Sequence, residues 1–198
     1  MSLAIFLLPK GDLRATMVRW KERVQNELPD QPYTAHPPHM TLINLEVRNE
    51  DDGVTAISNL SGSINPFQIT VNRTNVFWDD IVTGGHTLFF GIEKNDALTT
   101  LQKTLANVLQ EVKKNVPPPD YITGNKQLLE SYDKYGFAFV GDHWIPHFSI
   151  SSLRFEKIHP IIEDFFSTTE QYHFRVNQLS LWQVDGDDHT HLQTVNFQ

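Results

Sequence analysis

Hydrophobic and polar positions change period several times along the chain, and each change predicts an element. Leu3-Ala4-Ile5-Phe6-Leu7-Leu8 is a short unbroken apolar run, as expected of a buried strand. Gly11-Asp12 follows as a turn, with Asp12 placed to cap a helix. Leu13, Met17, Trp20, Val24 and Leu28 recur at spacings of three and four, which predicts an amphipathic helix over 13–28 that Pro29 and Pro32 end. A strand is expected over 39–47 and a short helix over 54–64. Residues 67–71 and 75–78 read as two strands and 87–92 as another. Asp96 is placed to cap a helix running to about 112, with Leu98, Leu101, Leu105, Val108 and Leu109 on one face.

Residues 116–143 show no clear period. They contain Gly124, Gly136, Gly141 and the aromatics Tyr121, Tyr132, Tyr135, Phe137 and Phe139. A stretch of this kind is either a binding loop or a surface segment with a short helix near 126–132. A second motif strand begins at 147, a helix is expected over 155–166, and strands over 172–176, 179–184 and 189–197 close the chain, the last two joined by an Asp-Gly turn. Strand, helix, motif strand, helix and strands thus occur twice. The pattern predicts an α+β fold of antiparallel sheets, two lobes of one domain over 1–198.

The chemistry concentrates in two stretches that share a pattern. Pro38-His39-Met40-Thr41-Leu42 and Pro146-His147-Phe148-Ser149-Ile150 each run proline, histidine, apolar residue, hydroxyl residue, aliphatic. On a strand, positions i and i+2 share a face. His39 with Thr41, and His147 with Ser149, therefore each put an imidazole and a hydroxyl on one surface, anchored by apolar side chains on the other. The preceding proline suits the start of a strand. Two such strands facing each other offer one imidazole to take a proton from an attacking oxygen, one to give a proton to a leaving oxygen, and hydroxyls for non-bridging phosphate oxygens. That chemistry requires no metal. A lone His-x-Thr is ordinarily structural; two matched copies in corresponding places are not.

The paired motifs resemble those of the two-histidine (2H) phosphoesterase superfamily, and within it the bacterial 2'-5' RNA ligase-like proteins and the plant and fungal cyclic phosphodiesterases. The resemblance covers nearly the whole chain. It implies a bilobal fold around a central groove, with helices outside. It implies His39 and His147 as the acid–base pair, and Thr41 and Ser149 as phosphate ligands. It implies no cofactor, and opening of a 2',3'-cyclic phosphate or of ADP-ribose 1'',2''-cyclic phosphate, or cleavage of a 2'-5' linkage. Members often carry an aromatic or an arginine a few residues after the motif histidine, facing the substrate; five residues after each stand Asn44 and Ser152. Arg154 is near, but strand parity puts it on the face opposite His147.

Other residues have plainer roles open to them. Tyr33 and Trp144 precede the motifs and are candidates for base stacking, against a place in the core or rim. Lys126, Lys134 and Arg154 are candidates for local positive charge, against a solvated surface. His36-Pro37-Pro38-His39 has a metal-like spacing that two prolines keep off a helix. His189 and His191 share a strand face, but such sites want a third convergent ligand. His86 and His143 are expected on the surface or in loops.

Composition narrows the partners. With no cysteine, disulfides, zinc–thiolate sites and thiol catalysis are excluded. A formal net charge of −8 argues against wrapping a long nucleic acid. It allows a small nucleotide or an RNA end as substrate. No run is long enough to cross a membrane, and the opening apolar run makes a poor signal peptide. The expectation is a cytoplasmic monomer. The rival to an enzyme is a module of the same fold that binds a nucleotide or RNA without turnover; a second is a metal-dependent hydrolase.

Overall fold

A computed structural model describes residues 2–93, 95–155 and 157–198. The opening apolar run is strand β1 (Ser2–Leu7), buried from Leu3 to Leu7. Helix α1 (Gly11–Glu27), strand β2 (Met40–Glu46), helix α2 (Glu50–Ser58), strands β3 (Phe67–Phe77) and β4 (His86–Ile92) and helix α3 (Asp96–Leu109) follow. Then come helix α4 (Lys126–Tyr135), strand β5 (His147–Leu153), helix α5 (Pro160–Phe166) and strands β6 (Tyr172–Val176), β7 (Gln178–Asp185) and β8 (Asp188–Asn196).

Eight strands form two four-stranded antiparallel sheets, ordered β2-β1-β7-β8 and β5-β4-β3-β6. The two motif strands, β2 and β5, are each at a sheet edge, where a preceding proline removes no ladder bond. They also contact each other. Two helices, α1 and α3, are exchanged between the halves. α1 lies on the second sheet: Trp20 meets Phe165 edge-on at 5.1 Å and the Tyr172 hydroxyl donates to Thr16 Oγ1. α3 contacts β2, and α2 contacts β8, on the first sheet. One apolar core joins both sheets and their helices.

Several boundaries differ from the sequence reading. The two strands expected over 67–78 are one 11-residue strand, because a bulge between Val71 and Arg73 absorbs the polar stretch without ending the pairing. The helix expected over 54–64 is α2, shifted to Glu50–Ser58, where the Asn49 side chain accepts from Asp51 N. Asn95 rather than Asp96 caps α3, accepting from Leu98 N, and α1 begins a residue before Asp12 with no side-chain cap. The helix expected over 155–166 is confined to α5: Pro160 takes its first position and His159 Nδ1 accepts from Ile161 N, so the start is fixed at the proline. Residue 156 of that stretch lies outside the described residues.

The aperiodic 116–143 stretch holds α4, ended by Gly136 at φ 72°, a left-handed position that favours glycine. His86, expected on the surface, is buried: it opens β4, and its Nδ1 accepts from Asp79 N at 3.1 Å. Among the described residues, no helix is long and apolar enough to cross a membrane.

Candidate active site

Each motif strand carries the same irregularity. β1 sets Ile5 opposite Ile43 and Phe6 opposite Thr41, leaving Leu42 over. β4 sets Leu88 opposite Ser151 and Phe89 opposite Ser149, leaving Ile150 over. The extra residue is in both cases the aliphatic that closes the motif. A bulge inverts strand parity beyond it. Asn44 and Ser152, rather than Ile43 and Ser151, therefore share a face with Thr41 and Ser149. The same inversion overturns the parity argument for Arg154, but that residue lies past the end of β5, exposed and away from the groove.

The bulges leave two carbonyls outside the ladder, and a helix from the opposite half serves each. Lys21 Nζ, from α1, donates to Ile150 O at 2.8 Å and to Tyr33 O at 2.5 Å. Gln102 Nε2, from α3, donates to Leu42 O at 3.2 Å and to Phe139 O at 3.0 Å, while its Oε1 accepts from Gly141 N. Lys21 is 6% exposed and Gln102 is fully buried. Both sit on the apolar face of their helices: Lys21 is four residues after Met17, and Gln102 four after Leu98. A polar residue on an otherwise apolar stripe is the signal in the sequence, and a hydrophobic period does not register it.

These strands open onto one cavity of about 750 Å³ lined by His39, Thr41, His147 and Ser149 together. The two imidazoles are held alike. His39 Nδ1–H donates to Pro37 O at 2.7 Å, and His147 Nδ1–H donates to Ile145 O at 2.6 Å. A carbonyl can only accept, so it fixes the Nδ1–H tautomer and leaves Nε2 as the open nitrogen. Aromatic rings fix the planes: Phe6 stacks on His39 at 3.9 Å, while Phe77 and Phe89 meet His147 edge-on at 4.9 and 5.2 Å.

The surroundings of the two histidines differ in charge. Burial pushes His39 down to about 3; its bond to Pro37 O opposes this, and His189, Lys21 and His36 lower it further. Burial also lowers His147, but there the bond to Ile145 O and the Asp80 carboxylate both act to raise it. A cation and two more imidazoles therefore face His39, and an anion faces His147. Lys21 is brought from 10.5 to about 7 by burial.

Tyr33 lines the cavity at φ 69°, and burial raises its hydroxyl pKa, with the Asp80 charge adding to the shift. Trp144 lines it too, but is 8% exposed and donates Nε1–H to Thr41 O at 3.1 Å, which ties the approach to one motif to the strand of the other. The 116–143 stretch is both helix and wall: Tyr121, Phe137, Phe139 and His143 line the cavity on either side of α4. Lys126, Lys134 and Arg154 do not line it.

Sequence reasoning missed Lys21, Phe6, Asp80, His36 and His189 as cavity residues, while Asn44, noted five residues after His39, does line the cavity and Ser152 does not. His36 Nε2 bonds Asp187 Oδ1 at 3.0 Å and its ring lies 4.4 Å from that of His189. Among the described residues, no group of three or more His, Asp or Glu is arranged to hold a metal ion.

The family described as the 2'-5' RNA ligase superfamily matches residues 9–188. No curated protein matches the chain. Among solved structures, TT0787 of Thermus thermophilus is similar at 17% identity and a TM-score of 0.67, covering 100% of this chain and 98% of that one. Apo E. coli LigT is similar at 14% identity and a TM-score of 0.59, over 100% of this chain and 98% of LigT. LigT complexed with 3'-AMP aligns at 14% identity with a TM-score of 0.55, over 98% and 97%. At these identities the likeness is one of fold.

Proposed function

The chain belongs to the 2'-5' RNA ligase superfamily, and from that membership we propose that it is a phosphoesterase opening cyclic phosphates by two-histidine acid–base catalysis. The substrate is a 2',3'-cyclic nucleotide or RNA end, or ADP-ribose 1'',2''-cyclic phosphate, and the direction is hydrolysis. The enzyme works as a cytoplasmic monomer.

One observation carries this reading. Two imidazoles, each with Nδ1–H committed to the carbonyl two residues before it, line one cavity together with two hydroxyls in matching positions. A binding site alone does not need two open Nε2 atoms. That LigT has been solved with phosphate and with 3'-AMP supports a nucleotide phosphate as the ligand of such a groove.

In this reading His39 is the base and His147 the acid. Burial first, and then its positive surroundings, keep His39 neutral; burial also lowers His147, but Asp80 and the bond to Ile145 O favour its proton, so of the two it is the better general acid. His39 Nε2 takes a proton from water as the water oxygen bonds phosphorus. The bond from phosphorus to one ribose oxygen breaks, and His147 Nε2–H delivers its proton to that oxygen. Thr41 and Ser149 donate to the non-bridging oxygens, where charge gathers. Exchange of protons with solvent resets the pair.

The test is turnover of adenosine 2',3'-cyclic phosphate, ADP-ribose 1'',2''-cyclic phosphate and a 2'-5' linked dinucleotide, in chelator, by wild type, His39→Ala and His147→Ala. Turnover lost by at least about a hundredfold in each variant is expected from the usual weight of a general acid or base. Equal rates in wild type and variants would dismiss the mechanism.

A further inference from the structure

The charge around the cavity is unusual for a site that handles phosphate. Of the described residues lining it, none is arginine, and Lys21 is the only lysine. Lys21 Nζ donates to two backbone carbonyls and sits beneath the groove, next to His39 and His36. At 6% exposed, with its Nζ turned to those carbonyls, it supplies no charge at the mouth. The turn between β3 and β4 forms the opposite wall, and its charge is negative. Asp80 accepts from Thr87 Oγ1 at 2.6 Å and from Val82 N at 3.0 Å, with no cation in ion-pair range among the described residues. Its neighbour Asp79 is neutralised by Lys157 at 2.5 Å.

The same turn is apolar where it meets solvent. Trp78, Ile81 and Val82 are 43%, 52% and 43% exposed, and Ile145 and Tyr121 add to the rim. A base can stack or pack there. A phosphate laid there would lose water to apolar side chains and face the Asp80 carboxylate with no arginine to offset it. Asn44, which the bulge in β2 turns to the face of Thr41, lines the cavity and is uncharged.

We propose that the groove selects nucleotides carrying a single phosphate group, whose base lies over the turn at 78–82, and rejects those carrying a pyrophosphate or a second phosphate. This rests on the phosphoesterase reading and narrows it. Nucleoside 2',3'-cyclic phosphates are the substrate class, and ADP-ribose 1'',2''-cyclic phosphate is excluded.

The test is calorimetric binding, in chelator, of 3'-AMP, adenosine 3',5'-bisphosphate and ATP, which needs no turnover. 3'-AMP is expected to bind tightest, and each of the others about tenfold weaker or worse. Asp80→Asn is expected to narrow that ratio by several-fold, and raising the salt from low to about 0.5 M should narrow it in wild type through screening, independently of any variant. ATP or the bisphosphate bound as tightly as 3'-AMP would overturn the proposal, as would no binding of any of the three. Failure of the parent reading looks different: 3'-AMP preferred in binding, yet adenosine 2',3'-cyclic phosphate never opened.

Discussion

Lys21 gives the most exacting test of how the site is held. Burial lowers its pKa from 10.5 to about 7. Below pH 7 the lysine is protonated in both folded and unfolded chains, and the folded state carries the full penalty of burying its charge. Between pH 7 and 10.5 the unfolded chain still holds the proton that the folded chain has released, so stability rises with pH across that window. The whole interval is worth about 5 kcal/mol, and the part between pH 7 and pH 9 about 2 kcal/mol.

Lys21→Met removes the titration. It also strips the donor from Tyr33 O and Ile150 O, at about 1–3 kcal/mol for each carbonyl left without a partner. That second loss does not depend on pH. The unfolding free energy of wild type minus that of Lys21→Met should therefore climb by about 2 kcal/mol from pH 7 to pH 9. Urea denaturation of both proteins at pH 7, 8 and 9 measures it, with every other titrating group cancelling in the difference. A difference that stays flat would refute the claim that the buried ammonium is what titrates.

Other expectations follow from the same geometry. Catalysis needs one imidazole protonated and one neutral, and both are held below the ordinary 6.5; kcat/KM should peak below pH 6.5 and fall as the acid loses its proton on the alkaline side, so a maximum at or above pH 7 would contradict the burial argument. His147→Ala should keep most of its activity on a phosphodiester with a p-nitrophenolate leaving group, which needs no protonation, while His39→Ala should not; the reverse pattern would exchange the two roles. Gln102→Leu leaves two carbonyls and the Gly141 N–H without partners, and at about 1–3 kcal/mol for each group the Tm should drop by roughly 10 °C; an unchanged melting curve would mean the bulge carbonyl finds another donor. Gly85→Ala places a Cβ 2.8 Å from the Leu153 carbonyl oxygen, so thermal melts should show a clear loss of stability, whereas a neutral result would show that the turn can shift freely.

Much of this protein is local, and local features are legible in sequence. The His39–Thr41 and His147–Ser149 pairs follow from period-two spacing, because two residues on a short strand share a face whatever surrounds them. The Leu98–Leu109 stripe predicts α3 for the same reason. Element ends are harder. His159 fixes the start of α5 and Asn49 that of α2 through single cap bonds that a hydrophobic period does not register. What the sequence could not show was set by pairing between distant strands. The bulges at Leu42 and Ile150 exist only relative to β1 and β4. They decide that Asn44 and Ser152 share a face with Thr41 and Ser149, and they free the carbonyls that Gln102 and Lys21 hold from the opposite half. Asp80 enters the cavity from the turn between β3 and β4, and His189 from the start of β8, where its place is set by pairing with Val184. The motif determined which imidazole and hydroxyl share a strand face; only the tertiary structure, by bringing two edge strands and two exchanged helices together, decided the charge that each histidine meets.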